Sequence, residues 1–478
     1  MNKNIFLLSA GLLLTGISSF AQEEFQRDTI SMGAGYENTI FYSLDNAETH
    51  SLNNSSWDIA FRTTPMTVGT YLNQATKNWD LIQLFIEDGT SITAEDYFMN
   101  DLTSDFNAKL NATDLEDYKF FNSITTWDTG AFNKWSPDDP QINFNLGWGM
   151  YDMSTHKIEG QKVFALTVAP AFPGAPVDPN AATYKFYIKD HDPTDANRPW
   201  EFWYAPLDAT TEAEIQKVQF NGSDYGNKLM VYFSFEDGEM HDYDPNQEAW
   251  DLSFTRYKEY VTQGQTSMWY GVTGVLLNRG IGAYGEIDES AEEIDTDFDE
   301  NAPFEFLEWD ESINLDNQNI AVIGRDWRGS NLTGEYAIKP NNYFVRSKGN
   351  KIYHVRMRRA ALGSGQPDGF DAGDIIFEYK LVDGGVNINE WKENYTWSIY
   401  PNPSNDYIKL AIENTSSQKQ TAQLVITDMS GRHVMVQDFA LNQGKQEIQV
   451  ALNSLKAGAY IVYLQLEEGL LSKKILKH

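Results

Sequence analysis

Two short motifs decide the fold class, because they occur in the same order twice along the chain. Residues 40–45 are Ile-Phe-Tyr-Ser-Leu-Asp, and residues 56–62 are Ser-Trp-Asp-Ile-Ala-Phe-Arg. The same order returns as Val-Tyr-Phe-Ser-Phe-Glu at residues 231–236 and Ala-Trp-Asp-Leu-Ser-Phe-Thr-Arg at residues 249–256. Aromatic and β-branched runs bounded by turn residues favour strands. Since the copies are a domain's length apart, the pattern predicts an all-β protein with a duplicated domain.

The rest of the region before the last domain also favours strands over helices. Residues 342–357 predict a β-hairpin that turns at residues 347–350, with Tyr353, Val355 and Met357 on one face of the returning strand. One helix is predicted at 93–115, where acidic residues stand near the start of the segment.

The composition excludes several classes of protein. The chain has 478 residues, no cysteine, and 36 Lys and Arg against 69 Asp and Glu, which gives a formal net charge of −33. Without cysteine there are no disulfides, thiolate metal sites or cysteine nucleophiles. A field of this sign repels nucleic acid and anionic membranes. The 13 Trp and 25 Tyr argue against disorder and for large packed faces.

The N-terminus has the pattern of a secretory signal peptide over residues 1–21. Lys3 supplies the positive start, residues 5–14 form the apolar run, and Ser19-Phe20-Ala21 places small residues where a signal peptidase reads them. The apolar run is shorter than the roughly 20 residues that cross a bilayer, and no other segment reaches that length. We therefore expect an exported chain without a transmembrane helix, starting at Gln22.

After residue 397 the pattern changes to that of a small β-sandwich. Four motifs follow one another: Tyr-Pro-Asn-Pro at residues 400–403, Asp-x-x-Gly-Arg at 428–432, Leu-x-x-Gly-x-Tyr at 455–460, and Lys-Lys-Ile-Leu-Lys at 473–477. Short strands separated by turn residues at this spacing are typical of a sandwich.

The four motifs, in this order, resemble the type A sorting domain of type IX secretion in the Bacteroidetes. The resemblance implies a cleavable address that is read by the outer-membrane translocon and its sortase. It also implies a protein that is secreted or displayed on the outer cell surface. The absence of a lipoprotein cysteine agrees with this route. The alternative is an ordinary adhesive module at the end of the chain.

The two units before this domain resemble the HmuY family, all-β proteins of the same phylum that include surface haemophores. The resemblance is carried by residues 56–62, by Gly-Trp-Gly-Met-Tyr-Asp-Met-Ser-Thr-His at 147–156, by Trp-Asp-Leu-Ser-Phe at 250–254, and by the hairpin at 343–353. The first unit departs from the family pattern, because it carries an insertion rich in Ala and Pro at residues 169–182. The resemblance implies two tandem HmuY-like β-rich domains followed by a small Ig-like β-sandwich.

Haemophores of this family clamp the haem iron between two side chains, either His–His or Met–Met. For the first unit the resemblance makes Met150, Met153 and His156 the candidate haem ligands. Their spacing lets at most one of them serve, so the second ligand must come from another loop, with Met66 and Met99 as candidates. The alternatives are core or edge packing for each Met and a surface turn for His156. In the second unit the candidates are Met240, His241, Met268 and His354.

The predicted division is a signal peptide at 1–21, HmuY-like units at 22–225 and 226–382, a linker at 383–397 and the sorting domain at 398–478. The leading hypothesis is a non-enzymatic binding protein for haem or another tetrapyrrole. The alternatives are a surface adhesion or glycan-binding protein, with exposed Trp and Tyr as stacking platforms, and a secreted hydrolase without a recognisable motif. No phosphate loop, nucleophile elbow or zinc-binding helix motif occurs, so no catalytic or metal-binding residue is predicted.

Overall fold

Antiparallel β-strands make up most of the structure, a computed structural model. It describes residues 25–87, 89, 92–140, 142–169, 183–263, 266–287, 307–310, 312–331, 336–361, 371–383, 395–414, 420–428, 433–453, 455–465 and 470–478. The predicted signal peptide and most of the predicted linker lie outside these residues. The all-β prediction is confirmed.

The strands are numbered in chain order. They are β1 Gln26–Ser31, β2 Asn38–Ser43, β3 Glu48–Asn53, β4 Ile59–Arg62, β5 Thr70–Leu72, β6 Trp79–Ile86, β7 Lys119–Phe120, β8 Gly149–Tyr151, β9 Ile158–Gly160, β10 Lys162–Val168, β11 Thr183–His191, β12 Pro199–Pro206, β13 Gln216–Asn221, β14 Met230–Phe233, β15 Met240–His241, β16 Leu252–Gln263, β17 Thr266–Leu277, β18 Ala283–Ile287, β19 Arg328–Asn331, β20 Tyr336–Ile338, β21 Asn341–Arg346, β22 Ile352–Ala360, β23 Asp374–Asp383, β24 Tyr395–Tyr400, β25 Tyr407–Asn414, β26 Gln420–Asp428, β27 His433–Leu441, β28 Gly444–Ala451, β29 Gly458–Gln465 and β30 Leu470–Lys477. Short 3₁₀ turns lie at Leu115–Tyr118, Ala131–Asn133, Glu212–Glu214, Gly222–Tyr225 and Gln247–Ala249.

The helix predicted at 93–115 is instead two short helices, α1 Ala94–Phe98 and α2 Thr103–Leu110. The first helix cannot continue, because the backbone N–H of Leu102 donates to the carbonyl oxygen of Leu207 at 2.8 Å. This tertiary hydrogen bond takes the donor that a continuous helix would need. The prediction of a single helix was therefore wrong at its centre.

Four of the sheets form two sandwiches before the C-terminal domain. In sandwich A, the sheet β1-β23-β22-β21-β18 shares a hydrophobic core with the sheet β17-β16-β2-β3. In sandwich B, the sheet β15-β14-β4-β5 shares a core with an eight-stranded sheet that contains β13-β12-β11-β10-β6-β7. The two four-stranded sheets also contact each other through a third cluster, which we call the junction cluster. It contains Phe41, Leu52, Ala60, Tyr71, Leu229, Met230, Tyr232 and Trp250.

Burial on both faces explains why the repeated motifs are apolar at successive positions. Side chains alternate between the two faces of a strand. Tyr42 accordingly lies in the core of sandwich A while Phe41 lies in the junction cluster. Phe61 lies in the core of sandwich B while Ala60 lies in the junction cluster. A strand of this kind is apolar throughout and does not alternate with polar residues.

The aromatic strand of each repeat pairs with the Trp-Asp strand of the other repeat. In β2 and β16, Tyr42 lies opposite Leu252, and in β4 and β14, Ile59 lies opposite Phe233. The two pairs have the same register, so the repeated motifs occupy equivalent structural positions. The pairing joins strands from both sides of residues 225 and 226, and that boundary between units stays a prediction.

The predicted hairpin is confirmed as β21 and β22. Tyr343 lies opposite Val355, and the chain turns between Arg346 and Ile352. The three residues predicted on one face, Tyr353, Val355 and Met357, all lie in the core of sandwich A.

The C-terminal domain is a small two-sheet sandwich, as predicted. The sheet β24-β25-β28 and the sheet β27-β26-β29-β30 share one hydrophobic core, which includes Leu410, Leu424 and Val462. The side chains of β25 alternate between buried and more exposed positions, which is the pattern expected of a strand with one face on a core.

Candidate ligand-binding cavity at the junction of the two sandwiches

The carboxylate of each Trp-Asp motif accepts a backbone hydrogen bond from the residue that follows the aromatic strand of the other repeat. Asp251 accepts a hydrogen bond from the backbone N–H of Leu44, just after β2, at 2.7 Å. Asp58 accepts one from the backbone N–H of Phe235, just after β14, also at 2.7 Å. Both aspartates are 1% exposed. The duplication seen in the sequence therefore extends to individual hydrogen bonds.

An asparagine that follows each motif in the chain hydrogen-bonds the main-chain carbonyl group of the tryptophan. The side-chain amide of Asn73 donates to the carbonyl oxygen of Trp57 at 2.8 Å. The side-chain amide of Asn278 donates to the carbonyl oxygen of Trp250 at 2.7 Å. Both asparagines are almost entirely buried, so these bonds place the two indole rings at equivalent positions.

Each indole ring packs edge-on against an aromatic ring in the aromatic strand of the other repeat. The centroids of Trp57 and Tyr232 are 5.0 Å apart at an interplanar angle of 67°, and those of Trp250 and Phe41 are 4.8 Å apart at 63°. Edge-to-face pairs of this kind stabilise a fold by about 0.5–1.5 kcal/mol beyond their buried area. These four rings also line one cavity.

The cavity lies at the junction of the two sandwiches and has a volume of about 100 Å³. The space is large enough for several water molecules or for a ligand group of similar size. Strands from both repeats contribute to its walls, which are mostly aromatic and aliphatic. Its aromatic lining residues are Phe41, Trp57, Tyr71, Trp127, Tyr232, Trp250 and Tyr257.

Four lining side chains carry a buried N–H donor without a hydrogen-bond partner. These donors are Asn54 Nδ2, Trp57 Nε1, Gln74 Nε2 and Trp250 Nε1. Buried polar groups in proteins nearly always find a partner in protein, water or ligand. All four donor atoms are sealed from solvent by the groups around them, so they lie behind the cavity wall and not on its inner surface.

The orientation of the two amides follows from what their oxygens bind. Asn54 Oδ1 accepts from the hydroxyl of Thr39 at 3.0 Å, and Gln74 Oε1 accepts from the backbone N–H of Asn122 at 3.1 Å. Because each oxygen is already engaged, the nitrogen of each amide is the atom without a partner.

Charged groups also line the cavity. Arg256 is half-buried and forms no ion pair with any described residue, and its guanidinium lies 5.7 Å from the ring centroid of Tyr36. Lys258, by contrast, is paired with Asp80 at 2.8 Å. The one lining carboxylate, that of Asp244, is 2% exposed.

The Asp244 carboxylate is held in the protein by two donors. It accepts from the backbone N–H of Met230 at 3.0 Å and from the hydroxyl of Tyr232. Burial raises its pKa from the ordinary 3.8 to about 6, and the two hydrogen bonds and Lys228 oppose the rise. Its charged form is thus disfavoured in the folded protein.

A variant that carries Asp244→Asn should gain stability relative to the wild type as the pH rises. Because the folded pKa of Asp244 is raised, its stabilising contribution is present in full below pH 3.8 and is lost as the pH rises through 6. We expect the free energy of unfolding of the variant, relative to wild type, to rise by about 2 kcal/mol between pH 4.5 and 7. Urea unfolding at both pH values measures this. A relative free energy of unfolding that is the same at both pH values would contradict the prediction.

The haem-ligand candidates of the first unit lie elsewhere, in the hairpin of β8 and β9. Met150 is in β8 and is half-buried, whereas Met153 in the connecting turn is 65% exposed. His156 is exposed in that turn, and its Nδ1 lies 2.7 Å from the hydroxyl of Tyr151. None of these three residues lines the cavity. Haem ligation by this hairpin stays a prediction.

The remaining candidates occupy varied surroundings. Met66 is 70% exposed, while Met99 packs against the core beneath α1. His241 hydrogen-bonds Asp237. His354 is 2% exposed, its Nε2 lies 2.9 Å from the amide oxygen of a neighbouring asparagine, and burial lowers its pKa to about 3.

The C-terminal sandwich defines a class of exported protein, one that carries a sorting tail for a dedicated secretion machinery. Residues 398–478 match the family described as secretion system C-terminal sorting domain. This is the sorting domain of type IX secretion, and it indicates a secreted or cell-surface protein that interacts with that machinery. Within the described part of the chain, no helix is long and apolar enough to span a bilayer. No curated protein matches this chain. The likeness of the preceding units to the HmuY family stays a prediction.

Proposed function

We propose that the protein is an exported, non-enzymatic binding protein that encloses a small ligand, or the end group of a larger one, in the junction cavity. The observation that carries the proposal is the aromatic lining of the cavity, to which the tryptophans of both repeated motifs, Trp57 and Trp250, contribute. A ligand with a flat apolar face would bury that face against these rings on binding.

The walls of the cavity favour binding over catalysis. Among its described lining residues there is no histidine, and the one carboxylate is engaged by the backbone of Met230 and the hydroxyl of Tyr232. The aromatic rings supply flat apolar surface, on which a sugar or another ring packs well. This supports the glycan-binding alternative more directly than the haem hypothesis.

Purified mature protein is expected to bind a member of a panel of small sugars, amides and carboxylic acids, as measured by calorimetry and thermal shift. Trp57→Phe and Trp250→Phe each replace an indole in the cavity wall by a smaller ring, so each should weaken binding about tenfold through lost contact area. Leu276→Phe places a larger side chain in the cavity wall and should abolish binding. The control Trp135→Phe changes an exposed indole away from the cavity and should leave the affinity unchanged.

Haem belongs in the same panel, because the resemblance to haemophores predicts it as a ligand. A Soret band that is lost in Met153→Ala or His156→Ala and kept in Trp57→Phe would move the binding site to the hairpin of β8 and β9. That outcome would contradict the cavity as the functional site. Absence of binding by every member of the panel at millimolar concentration would contradict both sites.

A further inference from the structure

We infer that the secretion machinery docks on the outer face of the sheet β27-β26-β29-β30 in the C-terminal sandwich. Its contact there is a patch formed by Val425, Val436, Ile461, Tyr463 and Leu476, which we call the outer patch. The inference goes beyond the junction cavity, because it assigns a surface of the sorting domain to the partner that the family implies. It follows from the register of the strands and from the exposure of the side chains that point away from the core.

The strand register separates the two faces of this sheet. Ile426 in β26 lies opposite Val462 in β29, and both side chains belong to the core of the sandwich. Side chains alternate between the two faces along a strand, so the neighbouring residues Val425 and Ile461 point outward. Tyr463 lies opposite Val425 and therefore shares this outer face.

The outward apolar side chains are neighbours across all four strands. Val425 lies opposite Val436 on one side and Tyr463 on the other, so these three residues form a row. Ile461 is the next outward residue of β29, and Leu476 lies diagonally across from it on β30. Directly opposed and diagonal side chains are close enough to contact each other. Val436 is 51% exposed and Leu476 is 42% exposed, so the patch faces solvent at both ends.

The outer face of the other sheet in the same sandwich is polar. On β25 and β28, Lys409 pairs with Glu447 at 2.6 Å, and Lys445 pairs with Glu413 at 3.6 Å. Polar side chains are expected on the solvated face of an antiparallel sheet. The two sheets share one core, so the core alone does not require apolar residues on either outer face. The outer patch is therefore explained by a contact with another surface.

The partner of the patch is another molecule. Val436 and Leu476 stay exposed in the full chain, so no described part of the chain covers them. Polar groups border the patch: Lys474 is exposed opposite Ile461, and Gln423 donates to Asp438 at 2.8 Å on the far side. An apolar centre with a polar rim is typical of a protein–protein interface. Since the family of this domain implies contact with the secretion machinery, we assign the patch to an apolar surface of that machinery.

The test measures export of the full chain in a bacterium that has type IX secretion. Immunoblots give the ratio of the protein outside the cell, released or on the surface, to the protein retained in the periplasm. Val436→Lys and Leu476→Lys each place a charge in the outer patch at an exposed position. Each variant should lower the ratio about tenfold, because docking would bury that charge without a partner.

A matched control lies on the polar outer face. Tyr407 in β25 is 41% exposed, close to the exposure of Leu476, and it points away from the core. Tyr407→Lys should therefore leave the export ratio unchanged. Thermal unfolding of each purified variant shows that it is folded. Val436→Thr, which keeps the branched shape and the preference for a strand, should lower the ratio in the same direction by about twofold.

Two results would overturn the assignment. The first is export of Val436→Lys and Leu476→Lys at the wild-type ratio, or an equal loss in Tyr407→Lys. The second is a wild-type dimer in sedimentation experiments that Val436→Lys dissociates while export stays unchanged, which would assign the patch to contact between copies of this chain. Neither result bears on the junction cavity, whose ligand binding is measured separately.

Discussion

Replacing Asp251 by alanine is expected to lower the free energy of unfolding by about 3 kcal/mol. The buried carboxylate accepts backbone N–H groups from Leu44 at 2.7 Å and from Lys348 at 2.6 Å. Each donor left buried without a partner costs about 1–3 kcal/mol. Burial also raises the pKa of Asp251 to about 6, so the variant is relieved of an unfavourable buried charge, which offsets part of the loss at neutral pH.

A matched control separates burial from the loss of a hydrogen bond. Asp310 accepts the backbone N–H of Ser312 at 2.7 Å, but its carboxylate is open to solvent. Asp310→Ala should therefore change the free energy of unfolding by less than about 1 kcal/mol, because water replaces the lost acceptor. Urea unfolding followed by tryptophan fluorescence measures both variants. Equal losses in the two variants would show that the pairing of β2 with β16 does not depend on the carboxylate of Asp251.

The same replacement in the other repeat tests the equivalence of the two motifs. Asp58 accepts the N–H of Phe235 at 2.7 Å and the indole N–H of Trp79 at 2.8 Å. Because it also serves two buried donors, Asp58→Ala should cost about as much as the change at Asp251. A loss in only one of the two variants would indicate that the repeats have the same geometry but unequal energetics.

The second large effect is expected at the ion pair of Lys162 and Asp139 in the eight-stranded sheet region. Their side chains are 1% and 0% exposed, with Nζ and Oδ2 2.5 Å apart. Lys162→Met leaves the carboxylate buried without its cation, and breaking a buried pair in this way costs about 3–5 kcal/mol. Chemical unfolding of the single variant measures the loss.

Two further variants show whether burial is the cause. Replacing both residues, as in Lys162→Met with Asp139→Leu, removes both charges and should recover most of the lost stability. The pair of Lys189 and Glu95 has the same 2.5 Å separation, but its side chains are 30% and 46% exposed. Lys189→Met should therefore cost no more than about 1 kcal/mol. A double variant that is no more stable than Lys162→Met would contradict the account.

Local patterns were sufficient to predict several elements of the fold. The hairpin of β21 and β22 was predicted because its turn residues and its apolar face lie within one short segment. The C-terminal sandwich was predicted for the same reason, since the turns between its strands are marked by Gly, Asn and Asp. The helix at 93–115 was predicted only in part, because the hydrogen bond from Leu102 to Leu207 that interrupts it comes from a distant segment.

The cavity was not predicted, although two of its main residues were singled out. Trp57 and Trp250 were recognised only as members of the repeated motifs. Whether Asn54 or Gln74 keeps a free donor depends on Thr39 and Asn122, which approach from other strands and loops. A search for polar residues near each repeated tryptophan would have included Asn54, but it could not have shown that its amide nitrogen lacks a partner.

The amino-acid sequence by itself determined that the chain is all-β, that two motifs are repeated, and that the last domain is a sorting sandwich. These properties follow from side-chain alternation and turn chemistry, which act over a few residues. Only the tertiary structure decided which strands pair. Both copies of each motif have the same apolar pattern, so β2 could satisfy its backbone with either Trp-Asp strand. The choice of the other copy follows from long-range packing and from Asp58 and Asp251, and that choice creates the cavity between the sandwiches.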